Sequence, residues 1–240
     1  MKAMIFAAGM GTRLQPLTAN KPKALVEVGG TPMLEIVIRK LILQGFNELI
    51  INVHHFAEQV VDFLNKNNNF GVSITVSDET DLLLDTGGGL KKAAWFFDDG
   101  KPFLVHNVDV LSNIDLQFLL HYHVCQPEAL ATLAVKDRFT SRSLLISDEG
   151  YLTGWRNNKT GETKISRPNQ SPIPIAFHGI QIISPAMLPL IDEQGVFSLT
   201  NVYLRLAQHY LINTYRNDND IWMDLGSIEN LKKAELYLKM

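Results

Sequence analysis

Cysteine is almost absent from this chain of 240 residues, because Cys125 is the only one. A single cysteine cannot form a disulfide within the chain, and it cannot build a zinc site from several thiolates. Neither sign of charge dominates, since 22 basic and 25 acidic residues leave a formal net charge of -3. Proteins that bind nucleic acids usually carry a basic surplus, so this balance argues against a nucleic-acid partner.

One long stretch, residues 168–191, lacks charged residues and has the length of a membrane span. It contains repeated prolines, which would leave backbone groups unpaired in lipid, so we interpret it as buried strand and loop. No secretory signal precedes the first apolar run. These features predict a soluble, cytoplasmic protein that does not bind a membrane.

Hydrophobic residues make up 46% of the chain and charged residues 20%, which suffices for a core and argues against disorder. In the first half, short apolar runs alternate with amphipathic stretches. This predicts an α/β fold with a mostly parallel, Rossmann-like central sheet sandwiched by helices. In the second half, short strands with turn residues between them predict a small antiparallel β insertion. We expect a single domain over residues 1–240, with a nucleotide-binding half at 1–109 and a substrate-binding half at 110–240.

The periodicity also places the individual elements. Strands are predicted near residues 3–7, 49–53, 72–76, 103–105, 130–135, 143–146, 151–155 and 175–183. Helices are predicted near residues 31–45, 57–64, 87–97, 116–124, 185–190, 199–209 and 227–238.

A glycine-rich loop, beginning at Gly9 and Gly11, follows the first predicted strand. Glycines let backbone N–H groups close around phosphate oxygens without obstruction by side chains. Arg13 adds a planar fork suited to a diphosphate or triphosphate, and Lys23 adds a compact positive charge. Leu14 replaces the third glycine of the dinucleotide fingerprint, and the chain has no Walker sequence. The loop therefore predicts a phosphate site of another kind.

Two aspartates are candidate metal ligands. Asp109 ends a predicted strand, where open α/β sheets place their ligands, and Asp224 lies just before Gly226 and a predicted helix. Mg²⁺ prefers a few carboxylates together with phosphate oxygens and water. Each aspartate, taken alone, is equally compatible with a helix cap or a turn.

Further motifs accompany the loop in order along the chain. They are Pro22-Lys23-x-Leu25, Leu84-Asp85-Thr86-Gly87-Gly88-Gly89-Leu90, Asn107-Val108-Asp109 and Trp222-Met223-Asp224-Leu225-Gly226-Ser227. With Gly9-x-Gly11-Thr12-Arg13-x-x-Pro16-x-Thr18, the set resembles the sugar-1-phosphate nucleotidyltransferases over nearly the whole chain. The triple glycine and the short length are most similar to the bacterial N-acetylmuramate-1-phosphate uridylyltransferases of cell-wall recycling. Many family members carry glycine directly before the first aspartate, where this chain has Val108.

The resemblance implies a nucleotidyltransferase, GT-A-like fold and a function. A nucleoside triphosphate, UTP by this resemblance, would condense with a sugar 1-phosphate, by best match N-acetylmuramate 1-phosphate, to give a nucleotide sugar and pyrophosphate. Arg13, Lys23 and Asp109 would be catalytic, and Mg²⁺ would bind Asp109 and Asp224. The nucleotide would lie against Ala8, Gly9, Gly11, Thr12, Gly88 and Gly89, and the sugar against Gly154 and Gly179, with His178 and Arg167 nearby.

The motifs are also compatible with other substrates and with a regulatory role. The same chemistry could use another base and sugar, as in GDP-mannose, GDP-heptose, dTDP-glucose or UDP-glucose formation. A non-catalytic nucleotide-sugar-binding regulatory protein would be expected to lose Arg13, Lys23 or a metal aspartate, and none is lost. Glu79 and Asp81 could reach the base. We expect a monomer or small homo-oligomer, without an acyltransferase domain after the last motif.

Overall fold

The computed structural model describes residues 1–238. Its strands are β1 (Lys2–Phe6), β2 (Glu27–Val28), β3 (Thr31–Pro32), β4 (Glu48–Val53), β5 (Ser73–Asp78), β6 (Phe103–Asn107), β7 (Val110–Ser112), β8 (Ala129–Lys136), β9 (Arg142–Ile146), β10 (Leu152–Asn157), β11 (Thr163–Ile165), β12 (Ile173–Ile183), β13 (Leu211–Arg216) and β14 (Trp222–Asp224). Its α-helices are α1 (Met33–Leu43), α2 (Ala57–Lys66), α3 (Asp85–Ala93), α4 (Leu116–Val124), α5 (Leu199–Leu206) and α6 (Ile228–Leu238).

The chain divides into two compact units. Unit 1 comprises Met1–Leu84, His106–Asn113 and the C-terminal segment from Ile221. Unit 2 comprises Asp85–Val105 and Ile114–Asp220. The expectation of a single domain with halves at 1–109 and 110–240 stays a prediction.

Unit 1 contains a parallel sheet in which β4 lies between β1 and β5. Lys2 pairs with Glu48 and Phe6 with Asn52, so β1 and β4 end at the same edge of the sheet. The apolar residues of β1 and β4 are buried, as expected for parallel strands covered on both faces. Helix α1 buries one stripe at helical spacing, formed by Met33, Leu34, Val37, Ile38 and Leu41.

Two short antiparallel pairs complete the strands of unit 1. Strand β2 pairs with β3, and β7 pairs with β14. The second pair joins segments that are far apart in the sequence, because Trp222 lies opposite Ser112 and Asp224 lies opposite Val110. It therefore fixes the segment after Asp109 against the segment that carries Asp224.

Unit 2 is built on antiparallel strands. Strand β12 pairs with β8 over its C-terminal part and with β9 over its N-terminal part, and the meander continues to β10 and β11. Strand β13 adds a parallel neighbour on β8. Helix α4 begins at its cap Asp115, whose carboxylate accepts a hydrogen bond of 2.9 Å from the N–H of Phe118.

The fold prediction is confirmed: the chain is an α/β protein with parallel strands and helices, and it contains a smaller antiparallel sheet. Strands β2, β3, β7, β11, β13 and β14 were not predicted, and residues 185–190 form a 3-10 helix. The first predicted helix, 31–45, begins only at Met33, because Thr31 and Pro32 pair with β2. Helix α3 begins at Asp85, two residues before the predicted start. Among residues 1–238, no helix has the length and apolar character of a transmembrane span.

Candidate active site

The glycine loop leaves β1 at the surface of unit 1. Ala8 is still buried, whereas Gly9, Thr12 and Arg13 are exposed. Gly11 has φ 65°, the left-handed region that glycine adopts without strain. A Cβ at Gly11 would lie 2.9 Å from both the Lys23 Cβ and the Thr18 Cγ2, so the loop closes tightly over Lys23. The Thr18 hydroxyl holds this arrangement by donating a hydrogen bond of 3.0 Å to the Gly11 carbonyl oxygen.

Lys23 pairs with the first candidate metal ligand. Its ammonium Nζ donates a hydrogen bond to Oδ2 of Asp109, and the two side chains are only 13% and 17% exposed. Low exposure limits screening by water, so this ion pair is stronger than one between surface side chains. The ammonium has three hydrogens, which leaves donors for a further acceptor.

Arg13 and the second aspartate form a looser pair. Arg13 Nη1 lies 3.5 Å from Asp224 Oδ2, and the side chains are 65% and 33% exposed. The N–H of Gly226 donates a hydrogen bond of 2.8 Å to Asp224 Oδ1. A Cβ at Gly226 would lie 2.5 Å from Arg13 Nη2, so the missing side chain leaves room for the guanidinium.

The backbone brings the two aspartates together. Asp224 lies opposite Val110 in the β7–β14 pair, and the N–H of Leu225 donates a hydrogen bond of 2.8 Å to the carbonyl oxygen of Asp109. Two carboxylates and two cations thus converge in unit 1, from four separate segments of sequence.

This group of side chains contains two carboxylates that could bind a divalent metal. Among residues 1–238, no three His, Cys, Asp or Glu side chains form a ready-made metal cage. A pair of carboxylates is nevertheless the donor set that suits Mg²⁺, since substrate phosphates and water normally supply the other ligands. Asp109 and Asp224 therefore fit such a metal.

A buried carboxylate positions the start of the loop, and no sequence pattern predicted this role. Glu79 is 1% exposed, and its Oε1 accepts a hydrogen bond of 2.8 Å from Asn52 Nδ2. Asn52 Oδ1 accepts one of 2.7 Å from the N–H of Ala7, and Glu79 Oε2 accepts one of 3.1 Å from the N–H of Leu84. Glu79 is thus occupied in positioning the start of the loop. No sequence pattern relates the apolar end of β1 to an acidic residue in the loop after β5.

The glycine segment lies in unit 2, in the first turn of α3. Gly87, Gly88 and Gly89 are buried, and the N–H groups of Gly87 and Gly88 donate hydrogen bonds of 2.9 and 3.2 Å to the carbonyl oxygen of Phe197. A Cβ at Gly87 would collide with the Phe197 ring. The N–H of Leu199 donates a hydrogen bond of 3.0 Å to Thr86 Oγ1. The segment is therefore fastened to the start of α5.

Helix α5 is also fixed at its other end. Arg205 donates hydrogen bonds of 2.8 and 2.9 Å to the carboxylate oxygens of Glu193. These hydrogen bonds hold the pKa of Glu193 below its ordinary value. Lys91 of α3 donates to the carbonyl oxygen of the same Glu193, which ties α3 to the segment before α5.

A cavity of about 410 Å³ lies wholly in unit 2. Its wall is formed by strands β9 to β12 and by the first residues of α5. The lining residues are Thr140, Arg142, Leu144, Trp155, Lys164, Phe177, Ser198, Thr200, Asn201 and Leu204. The volume is in the range of small-molecule sites.

None of the four residues that the resemblance assigns to the sugar is among the residues that line this cavity. A Cβ at Gly154 would lie 2.5 Å from the Lys164 carbonyl oxygen, so Gly154 permits the close approach of β10 and β11. Gly179 has φ 79° and lies where the register of β12 against β8 shifts. His178 is buried. Arg167 donates hydrogen bonds to the carbonyl oxygens of Ala207 and Tyr210, so its guanidinium is engaged in unit 2.

Comparison with known proteins identifies the class. The sequence model of the nucleotidyl transferase family matches residues 2–143. An N-acetylmuramate alpha-1-phosphate uridylyltransferase of Neisseria meningitidis is 30% identical, over 98% of this chain and 97% of that protein. A mannose-1-phosphate guanyltransferase of Yarrowia lipolytica is also 30% identical, over 99% of this chain but only 64% of that longer protein.

Solved structures give the same fold. A UDP-glucose pyrophosphorylase from Acinetobacter baumannii superposes with a TM-score of 0.79 at 19% identity, covering 98% of this chain and 92% of that one. The relatives share the transfer of a nucleotidyl group and differ in base and sugar. Their similarity extends over the whole described site, and the chain accordingly belongs to the nucleotidyl transferase family, among the sugar-1-phosphate nucleotidyltransferases.

Proposed function

We propose that the chain condenses UTP with N-acetylmuramate 1-phosphate to give the UDP-sugar and pyrophosphate. The observation that carries the proposed chemistry is the convergence of Arg13, Lys23, Asp109 and Asp224 beside the glycine loop. The uridylyl and N-acetylmuramate assignments are supported by the triple glycine and by the relative from Neisseria meningitidis, which is matched over nearly its full length.

The reaction is an in-line displacement at the α-phosphorus. An oxygen of the sugar 1-phosphate forms the new P–O bond, and the bond between the α-phosphorus and the bridging oxygen of the β-phosphate breaks. The attacking oxygen is already anionic, so no side chain has to remove a proton. The protein has to position the phosphates and neutralise their charge.

Lys23 would act at the reacting phosphorus. Its Nζ is held by Asp109, and the close approach of Gly11 restricts its stem. An ammonium fixed in this way can donate to an oxygen of the α-phosphate or of the attacking phosphate. Fixed donors stabilise charge that develops in the transition state without reorganising first.

Arg13 would bind the departing pyrophosphate. Its guanidinium is exposed and offers several parallel donors, which match the oxygens of a diphosphate. The backbone of Ala8, Gly9, Gly11 and Thr12 would contact the triphosphate, and Gly88 and Gly89 the nucleoside.

Asp109 and Asp224 would hold Mg²⁺. Bound there, the metal supplies Lewis-acid neutralisation of phosphate charge. The chain's own contribution is to keep the backbones of the two aspartates beside each other, through the Leu225–Asp109 hydrogen bond and the β7–β14 pair.

The proposal is tested by pyrophosphate release across a grid of substrates with Mg²⁺. UTP, CTP, GTP, dTTP and ATP are each combined with the 1-phosphates of N-acetylmuramate, N-acetylglucosamine, glucose, mannose and heptose. We expect the highest kcat/KM for UTP with N-acetylmuramate 1-phosphate. Another active combination would keep the chemistry and overturn the substrate assignment. Binding of a triphosphate without turnover in any combination would favour a regulatory, nucleotide-sugar-binding protein instead.

A further inference from the structure

A second cavity, of about 340 Å³, lies wholly in unit 2, and we call it the tyrosine pocket. It is formed by the end of β9, the turn between β9 and β10, the start of β12, strand β13 and one residue of α4. The lining residues are Tyr122, Ile146, Ser147, Asp148, Glu149, Gly150, Ile173, Thr214, Tyr215 and Arg216. None of them lines the first cavity or belongs to the candidate active site. The volume is in the range of small-molecule sites.

Hydrogen bonds fix the shape of the tyrosine pocket. The carbonyl oxygen of Gly150 accepts one of 2.9 Å from the N–H of Thr214 and one of 2.8 Å from the Thr214 hydroxyl. The N–H of Gly150 donates one of 3.0 Å to the carbonyl oxygen of Ser147, which closes the turn. The turn is therefore fastened to β13, and a ligand would meet a wall that is already formed.

Two tyrosine rings form much of the apolar surface of the pocket. The ring centroids of Tyr122 and Tyr215 are 5.3 Å apart, and the rings are inclined at 58°. A third ring, that of Phe118, lies 5.7 Å from Tyr215. Inclined rings present two adjoining surfaces, and the face of each ring carries the negative part of its quadrupole. Such surfaces attract a cation.

Two carboxylates of the turn add negative charge to the pocket. Asp148 is exposed, and among residues 1–238 no cation pairs with its carboxylate. Hydrogen bonds from the Ser147 hydroxyl and from the residue's own backbone N–H hold the pKa of Glu149 below its ordinary value. Both groups are therefore ionised at neutral pH.

The lining also contains a cation, Arg216, which is already paired with carboxylates outside the pocket. Its Nε donates a hydrogen bond of 2.6 Å to Asp218 Oδ2, and its Nη2 lies 3.5 Å from Asp137 Oδ2. Burial raises the pKa of the Tyr215 phenol, and the negative charge of Asp220 raises it further. The potential at this ring is therefore negative although Arg216 is the next residue.

We propose that the tyrosine pocket binds a small organic ammonium ion. Cation–π contact with Tyr122 and Tyr215 would hold the alkyl-substituted nitrogen. The carboxylates of Asp148 and Glu149 would attract its charge. An anion would instead be repelled by these carboxylates, since Arg216 is already paired. The inference does not depend on the proposed function, because every residue that carries it lies in unit 2.

Isothermal titration calorimetry of the full chain with three probes tests the proposal. Choline carries a quaternary ammonium group, and putrescine carries two primary ammonium groups. The third probe is the neutral alcohol in which carbon replaces the nitrogen of choline. We expect one of the two cations to bind about tenfold more tightly than the neutral alcohol, and that cation identifies the kind of ammonium group. Added salt should weaken its binding, since the attraction between charges is screened.

Variants locate the bound cation. Tyr215→Leu removes one ring and should weaken cation binding about tenfold, whereas Tyr215→Phe keeps the ring and should stay within about twofold of the wild type. Asp148→Asn removes an exposed charge and should weaken binding about threefold. Glu128→Gln is its matched control, because Glu128 is an exposed acidic residue of unit 2 outside the lining. Asp109→Asn, which removes a carboxylate of the candidate active site, should also bind the cation as the wild type does.

Several results would overturn the inference. Equal affinity for choline, putrescine and the neutral alcohol would reduce the pocket to an apolar surface, and no saturable binding of either cation would remove the site. Unchanged binding in Tyr215→Leu, or loss of binding in Asp109→Asn, would place the cation outside the tyrosine pocket. Circular dichroism checks that each variant is folded. If Tyr215→Leu is not, equal affinities of Asp148→Asn and Glu128→Gln would refute the proposal, because both positions are exposed.

Discussion

The ammonium group of Lys23 is hydrogen-bonded to the carboxylate of Asp109, a residue 86 positions further along the chain. The glycine loop supplies one partner, and the segment after β6 supplies the other. Under the proposed function, the pair joins the loop that would bind phosphate to a carboxylate that would bind the metal. The two side chains hold each other in place, and their removal should affect turnover more than folding.

Lys23→Ala and Asp109→Ala should each lower kcat on the order of 10²–10³-fold, because Lys23 would donate to the transferring phosphate, whereas Asp109 holds Lys23 in place and would hold the metal. The steady-state rate of pyrophosphate release measures this effect. Both variants should keep the wild-type circular dichroism spectrum, since neither side chain belongs to the apolar core. Lys66→Ala, an exposed lysine at the end of α2, is the control for loss of a positive charge. A change confined to the KM for the triphosphate would make Lys23 a binding residue only.

Gly11→Ala should strain the loop and displace Lys23. Alanine at φ 65° costs about 1–2 kcal/mol, and its Cβ would lie 2.9 Å from the Lys23 Cβ. We expect a lower melting temperature together with a lower kcat.

Gly29→Ala is the matched control for this substitution. Gly29 has φ 60°, and a Cβ there meets no atom within 4 Å. It should lower the melting temperature to a similar extent without lowering kcat. Equal losses of activity in both variants would show that backbone strain, and not the displacement of Lys23, impairs catalysis.

Glu79→Gln should loosen the support beneath the loop. The carboxylate accepts from Asn52 and from the N–H of Leu84 with different oxygens, whereas the amide of glutamine has a single acceptor oxygen. One of these two donors would then face the amide N–H of the glutamine and lose its hydrogen bond. This loss costs about 1–3 kcal/mol of folding free energy and lowers the melting temperature by roughly 5 °C. Thermal unfolding measures this loss. Glu58→Gln, at an exposed position of α2, should leave the melting temperature unchanged, and a similarly small effect of Glu79→Gln would refute a supporting role.

His123 should make stability depend on pH. Burial lowers its pKa from an ordinary value of 6.5 to about 4. Above pH 6.5 the imidazole is neutral in both folded and unfolded chains, so its contribution is constant. As the pH falls from 6.5 to 4, the unfolded chain binds the proton first. The free energy of unfolding should therefore fall by roughly 3 kcal/mol over that interval.

Urea unfolding at a series of pH values tests the His123 prediction. His123→Gln should flatten the slope between pH 6.5 and 4, because the titrating group is gone. The control is His209→Gln, which removes an exposed histidine and should keep the wild-type slope. Parallel curves for wild type and His123→Gln would assign the acid sensitivity to other groups.

The sequence predicted the loop and the strands with long apolar runs, and it singled out the two aspartates, whose role as metal ligands stays a prediction. It did not predict what brings the aspartates together. Strands β7 and β14 have only 3 residues each, too few for a periodic pattern, and their pairing spans more than a hundred positions. Strand β13 was missed because its short alternating run directly follows a predicted helix.

The contacts of Glu79 and the lining of the cavity in unit 2 could not be predicted from the sequence, because both depend on tertiary structure. Glu79 lies in a polar stretch of sequence that is typical of an exposed loop. Only its tertiary contacts with Asn52 and Leu84 show that it is buried. The cavity of unit 2 depends on strand register, which aligns Arg142, Trp155 and Lys164 on one face although they lie in three strands. A one-residue shift in register would separate them.

The most direct test of the account follows the fate of each phosphate. UTP labelled at the α-phosphate, and UTP labelled at the γ-phosphate, are incubated with the protein, Mg²⁺ and N-acetylmuramate 1-phosphate. We predict that the α-label appears in a sugar nucleotide and the γ-label in pyrophosphate, and only when the sugar phosphate is present. Lys23→Ala should nearly abolish the formation of both labelled products. Transfer of the γ-label to the sugar phosphate, or retention of both labels in UTP, would contradict it.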